Sequence, residues 1–178
     1  MCSSDLEVTD DVSFGLISYR QVRSDPDDGC TLDCKALQSV AEAAGVDILF
    51  ENVWNNFLLS PREAAAYVDS FKSDRVGWYF DVGNIVRYDD PVNWVRTLGE
   101  RIIKLDIKDY SRAKMEAEGV WKGFDCKIGA PESSAGWAEV MAALAEVGYE
   151  GWGSAEVGGG GRERLTEISK NMDEVFSR

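Results

Sequence analysis

Four carboxylates stand at matching places in the chain: Glu51 in LFEN, Asp81 in YFDVGN, Asp106 in KLDIKD and Glu156 in SAEV, each at the end of a short β-rich run. They are separated by 30, 25 and 50 positions, so they can act together only if the fold delivers the four run ends to one place. Parallel strands joined by crossovers do this, because all their C-terminal ends open on the same side. Four acids converging in a low-dielectric cleft repel one another and need a cation to neutralise them. Ligation by oxygen alone favours a divalent Mg2+, Mn2+ or Ca2+. A single acid at a strand end is often only solvated or caps a helix; the recurrence is the signal.

The elements that must position these acids alternate. From about Leu37 the sequence switches between apolar helical stripes and short β-rich runs, the pattern of βαβ units. Leu37, Val40, Ala41 and Ala44 have the spacing of a buried stripe, and Gly45 suits the left-handed position that ends such a helix. Ser60-Pro61-Arg62-Glu63 is a capping box with proline at the first helical position, ahead of the stripe Ala64, Tyr67, Val68 and Phe71. Asp90-Pro91 opens a helix that buries Trp94, Val95 and Leu98 and stops at Gly99. Trp137, Val140, Met141 and Leu144 stripe another before Gly148, and Leu165, Ile168, Met172 and Val175 define the last.

Between these helices lie the predicted strands Val46 to Asn52, Val76 to Val82, Ile102 to Asp109 and Gly151 to Val157. On the third, period-2 phasing places Lys104, Asp106 and Lys108 on one face and Ile103, Leu105 and Ile107 on the other, against helices. Four consecutive βα units predict an α/β fold with a parallel sheet, a partial TIM (β/α)8 barrel. The full barrel takes about 250 residues, so these 178 hold about half. The Val46–Asn52 and Gly151–Val157 strands would then be open edges, which invites a homo-oligomer. Residues 1–30 read as an irregular segment outside this pattern, with Phe14 to Tyr19 as a candidate extra strand, and residues 31–178 as the half-barrel; the opening MCSSDL matches nothing expected of the fold.

Around the acids, Asn52, Asn84 and Lys108 are candidate hydroxyl-binding groups, each with backbone capping as the plainer alternative. Trp54, Phe57 and Trp121 are candidate walls, although aromatics more often simply pack. The connection from Tyr110 to about Ser134 carries Lys114, Trp121, Lys122, Phe124 and Lys127 and is long enough to cover a site. The run Gly158 to Gly161 ahead of Arg162 and Arg164 places backbone N–H groups and arginines where a phosphate could bind, with a flexible loop as the alternative.

Composition narrows the partners. Thirty-two acidic against 19 basic residues give a formal charge of −13, which repels nucleic-acid phosphates. No run approaches the roughly 18 apolar residues of a membrane span, and the start lacks a basic-then-apolar leader, so a cytoplasmic protein with no membrane contact is expected. The chain has no histidine, and Cys2, Cys30, Cys34 and Cys126 show no CxxC spacing; a Cys/His zinc site is excluded and reduced, mostly buried thiols are expected.

The segments GVDILFENVWNNFLLSP, VGWYFDVGNIVRYDDPVNWVRTLGERI, KLDIKDYSR and YEGWGSAEVGGGGRERL together resemble the xylose-isomerase-like barrel superfamily, and within it the bacterial sugar-phosphate isomerases and epimerases that include ketose 3-epimerases. The resemblance spans about Ala36 to Phe176. It implies that Glu51, Asp81 and Glu156 match three metal ligands, that Glu51 and Glu156 are also the acid/base pair across the substrate carbon, and that Mn2+ or Mg2+ is the cofactor. Asp106 stands where relatives usually carry histidine, and IGAPESSAGW replaces a GEGDVDW-like turn.

The implied activity is metal-dependent isomerisation or epimerisation of a ketose or ketose phosphate, by proton transfer through a metal-stabilised enediolate. The alternative reading is a truncated or degenerate half-barrel that binds metal or sugar weakly, or only assembles with another chain, without turnover. A nuclease reading, open because the superfamily includes DNA-repair endonucleases, fares poorly: those sites use several histidines.

Overall fold

The computed structural model describes the backbone of residues 3–9, 12–18 and 30–178, with side chains from residue 37 onward. Two strands, β1 (Ser3–Thr9) and β2 (Val12–Ser18), precede helix α1 (Cys30–Ala44). There follow β3 (Asp47–Glu51), α2 (Pro61–Asp69), β4 (Val76–Asp81), the short α3 (Val82–Val86), α4 (Pro91–Leu98), β5 (Ile102–Ile107), α5 (Arg112–Glu118), α6 (Trp137–Glu146), β6 (Trp152–Ala155) and α7 (Arg162–Phe176). The six strands form one sheet in chain order; β1 runs antiparallel to β2, and β2 to β6 are parallel. This is the α/β architecture expected, a section of a (β/α) barrel wall.

Three sequence expectations change. The β3 strand is not an edge, because β2 pairs with it in parallel and β1 pairs with β2. Where one extra strand was foreseen over Phe14 to Tyr19, β2 covers Val12–Ser18 and β1 precedes it; Tyr19 lies outside the described residues. The α1 stripe is largely uncovered: Ala41 packs into the core, whereas Leu37 and Val40 are 46% and 61% exposed, and on α7 Leu165 is exposed while Val175 is buried. Periodicity shows which residues share a helix face, and burial additionally requires a surface opposite them.

Elsewhere local chemistry and packing agree. The Ser60 hydroxyl accepts from the Glu63 N–H while the Glu63 carboxylate accepts from the Ser60 N–H, and Asp90 caps α4 by accepting from Val92. Gly45 and Gly148 take left-handed φ values of 70° and 71° where α1 and α6 end. The outward face of the sheet is apolar, and Phe80, Leu105 and Ile107 pack with Trp94, Val95, Leu98, Val140 and Leu144 in one cluster. Phe80 stacks on Trp94 at an interplanar angle of 14°. With one face of the parallel sheet turned to helices, the polar residues of β3 to β6 project together from the other.

The long connection after β5 is ordered by its own contacts. It holds α5 and a 3-10 turn (Val120–Phe124), and the Tyr110 hydroxyl donates to the Val120 carbonyl at 2.7 Å. Gly123 lies flat on the Tyr110 ring, where an added Cβ would come within 2.3 Å of a ring carbon. The buried Asp109 carboxylate accepts from the Gly129 N–H at 2.6 Å, from the Trp137 indole at 2.8 Å and from the Ser133 hydroxyl. One side chain at the end of β5 thus fixes both the loop and the start of α6.

Candidate metal centre

Register brings the acids together. Glu51 pairs with Tyr79 across β3 and β4, Asp81 with Asp106 across β4 and β5, and Asp106 with Ser154 across β5 and β6. Past the end of β6 the Glu156 N–H continues the ladder to the Ile107 carbonyl at 3.1 Å. Neighbouring strands are about 4.8 Å apart, so same-face side chains at the strand ends come close. Each of Glu51, Asp81, Asp106 and Glu156 offers a carboxylate oxygen, and these oxygens all lie within 4.8 Å of one another.

The consequence is electrostatic. Burial, followed by the charges of Asp81 and Glu156, raises the Glu51 pKa to about 8. Burial and the same kinds of neighbour raise Asp106 to about 8, and burial raises Asp81 to about 7 against the opposing pull of Lys108. Burial works against the charged amine of Lys108, but its contacts with Asp81 and Glu156 together outweigh this and hold the amine above its ordinary value. The Lys108 Nζ lies 2.8 Å from Asp81 Oδ2 and also pairs with Glu156. With one ammonium among four carboxyl groups, the crowded acids hold on to protons that a stronger cation can replace, and this set of hard oxygen donors fits a divalent ion.

Asp81 is held from all sides. Its N–H donates to Asn52 Oδ1 at 3.0 Å, its carbonyl accepts from Asn52 Nδ2 at 2.7 Å, and Oδ1 accepts from the Asn84 N–H at 3.0 Å. The Asn84 amide donates to Asp81 Oδ2 and, at 3.0 Å, to the Asn52 carbonyl. Asn52 Oδ1 also accepts from the Trp78 indole at 3.1 Å. Every buried polar side-chain atom among the described residues has a partner.

Beside the acids is a cleft of about 320 Å³ lined by Glu51, Trp54, Asn84, Lys108, Trp121, Phe124 and Glu156, with Val53 and Asn55. Trp54 anchors its aromatic wall: its indole donates to the Asn84 carbonyl at 2.8 Å, and its ring meets Tyr110, Trp121 and Phe124 at centroid distances of 5.7, 5.1 and 4.8 Å. Arg87 lies over the Trp54 ring at 4.5 Å. Trp121 is 69% exposed, so this wall has an open rim.

A sequence profile described as xylose isomerase-like TIM barrel matches residues 27–175. The chain belongs to this family. No curated protein matches the chain significantly. Among solved structures, the barrel is similar to a xylose isomerase domain protein from Planctomyces limnophilus (18% identity, TM-score 0.67, covering 91% of this chain and 56% of that one). It is similar to a D-psicose 3-epimerase from Clostridium cellulolyticum H10 determined with D-tagatose (21%, 0.60, 90% and 60%). It is also similar to a xylose isomerase-like TIM barrel protein from Mycobacterium smegmatis in complex with magnesium (20%, 0.65, 92% and 60%). The chain thus spans a little over half the length of these structures, and the likeness is one of fold.

Within this xylose isomerase-like scaffold the residues singled out from sequence fall into groups. Glu51, Asp81, Asp106 and Glu156 converge, and Trp54, Trp121, Asn84 and Lys108 line the adjoining cleft. Asn52 is buried and spends its amide on the backbone of β4 and on Trp78. Phe57 packs edge-on against Tyr67 and is not among the cleft residues. Arg162 is exposed in the first turn of α7, away from the cleft lining, while Arg164 turns back to the Gly158 carbonyl and Glu167. Cys126 is a half-buried free thiol; the side chains of the other three cysteines lie outside the described residues. No helix among the described residues is long and apolar enough to cross a membrane.

Three more residues contribute. Tyr79 lies two residues before Asp81 on the same strand face, buried between Glu51 of β3 and Lys104 of β5, and period-2 counting back from Asp81 finds it. Phe124 completes the wall, and Asp109 anchors the loop that carries it. The length of the connection marks the loop that holds Phe124, whereas the partners of Asp109 are remote in sequence and no local pattern marks it.

Proposed function

We propose that this chain is a metal-dependent isomerase or epimerase acting on a ketose or ketose phosphate by proton transfer. The observation that carries the reading is the convergence of four carboxylate oxygens within 4.8 Å, next to an aromatic-walled cleft. Glu51, Asp81, Asp106 and Glu156 would hold one divalent ion, Mn2+ or Mg2+, which supplies Lewis-acid polarisation of the sugar carbonyl.

Around that centre this chain's own residues do the positioning and proton work. Glu51, half-buried beneath the cleft, and Glu156, open to it, serve as the acid/base pair: one takes the proton from the carbon beside the carbonyl and the other returns it. The proton transfer leaves an enediolate, and Lys108 offers its oxygens an ammonium donor. Trp54, Trp121 and Phe124 form an apolar wall that excludes water from the reacting carbon, and the Asn84 side chain steadies Asp81. Asn52 acts through Asp81, and Arg162, exposed at the start of α7, is the contact for a phosphate carried by the sugar. Residues 31–178 form the unit that carries this site.

Incubation with a ketulose and Mn2+ in D2O tests the reading. Metal-dependent deuterium incorporation beside the carbonyl is expected; isomerisation without incorporation would point to hydride shift, and no conversion would favour a second reading. In that reading the chain binds metal or sugar without turnover, or only assembles with another chain. It is supported by Asp106 at the position where the resembling sequences carry histidine.

A further inference from the structure

Lys108 is held in the acid cluster by a built arrangement. Its side chain is 14% exposed and its Nζ bridges Asp81 Oδ2 and Glu156. Its stem runs across Gly83 at the start of α3: a Cβ there would come 2.6 Å from Lys108 Cγ and 2.8 Å from its carbonyl oxygen. Only a residue without a side chain lets the lysine take this path. On the cleft side the Nζ lies 5.2 Å from the centre of the Phe124 ring.

Oxygen Oδ2 of Asp81 already accepts from both the Lys108 amine and the Asn84 amide, which occupies its two lone pairs. The Asn84 amide is also tied to the Asn52 carbonyl at 3.0 Å, and α3 holds its backbone. Lys108 is the partner with somewhere to go: it has a flexible stem, a cleft beside it and an aromatic face that accepts a cation.

We propose that Lys108 is a resident counter-ion that competes with the divalent metal for Asp81 and Glu156. The inference rests on the metal-binding reading above and adds to it a second state of the centre. Without metal, the amine bridges the two acids. When metal binds, the amine leaves Asp81 Oδ2 and swings toward Phe124 and the cleft, where it becomes a donor for anionic substrate oxygens. Metal loading and the presentation of Lys108 to substrate are then one event, and the lysine sets a ceiling on metal affinity.

The test is calorimetric titration of the full chain with Mn2+ alone, for the wild type, Lys108→Met and Lys108→Gln. Removing a unit charge within a few ångströms of the bound ion is expected to tighten Mn2+ binding about tenfold or more. In parallel, acetylation of wild-type lysines read by mass spectrometry is expected to show Lys108 protected without metal and labelled with it; this needs no variant to fold. Wild type that binds Mn2+ with both variants no tighter, or Lys108 labelling that stays flat or falls on adding Mn2+, overturns the proposal and leaves the metal site standing. Absence of Mn2+ binding in wild type and both variants overturns the metal reading and this proposal together. Binding by the variants alone supports the proposal in its strongest form.

Discussion

Asn52 and Asp81 are joined by two hydrogen bonds: the Asn52 amide donates to the Asp81 carbonyl at 2.7 Å, and the Asp81 N–H donates to the Asn52 side-chain oxygen at 3.0 Å. The side chain thus imitates a neighbouring strand just where β4 passes into α3, and it fixes the backbone from which the Asp81 carboxylate projects. Asn52→Ala leaves the Asp81 N–H and carbonyl and the Trp78 indole without these partners in a buried place. A loss of about 3 kcal/mol or more is expected in denaturant unfolding, since each of the three buried orphans costs ~1–3 kcal/mol. Unchanged unfolding would mean water or a neighbour takes over all three bonds.

The raised acids make stability fall with pH. Glu51, Asp106 and Asp81 titrate near 8, 8 and 7 in the folded chain, against about 4 for free carboxyls. Between those limits the folded state binds more protons than the unfolded one, so the folded state loses stability as pH rises from about 4 through 8. Divalent metal competes with protons for the same oxygens and reverses the trend. Melting temperature in EDTA is expected to drop from pH 5 to pH 8, while the increment given by Mn2+ grows over the same interval. A Mn2+ increment that shrinks with pH would contradict shared oxygens.

Asp109 is expected to control the loop rather than the sheet. Asp109→Ala leaves the Gly129 N–H, the Trp137 indole and the Ser133 hydroxyl without the carboxylate that accepts from all three. Hydrogen exchange should accelerate over residues 110–136 with β3, β4 and β5 little affected. Equal acceleration across the sheet would show that the carboxylate supports the whole core.

The capping box gives a calibration. Ser60→Ala should cost about 1 kcal/mol, the usual value for an N-cap serine, and should leave Mn2+ affinity unchanged because α2 supplies no acid to the cluster.

What could be read in the sequence follows from locality. Ser60, Glu63, Asp90, Gly45 and Gly148 act on groups within a turn of themselves, so their types and spacing sufficed. The convergence of Glu51, Asp81, Asp106 and Glu156 was legible because parallel strands repeat one geometric operation. The direction in which Asn52 spends its amide was not legible, because that depends on the orphaned groups of a strand 29 positions away. The two acids bridged by Lys108 are likewise remote along the chain, and the exposure of Leu37 and Val40 depends on what lies opposite α1.

Titration of the wild type and of Glu51→Gln with Mn2+ at pH 7.5, read as ions bound per chain, tests most directly whether acids from four strands share one cation. One ion per wild-type chain and at least tenfold weaker binding by the variant are predicted. A wild-type chain that takes up no Mn2+, or a variant that binds it as tightly as the wild type, would contradict the account.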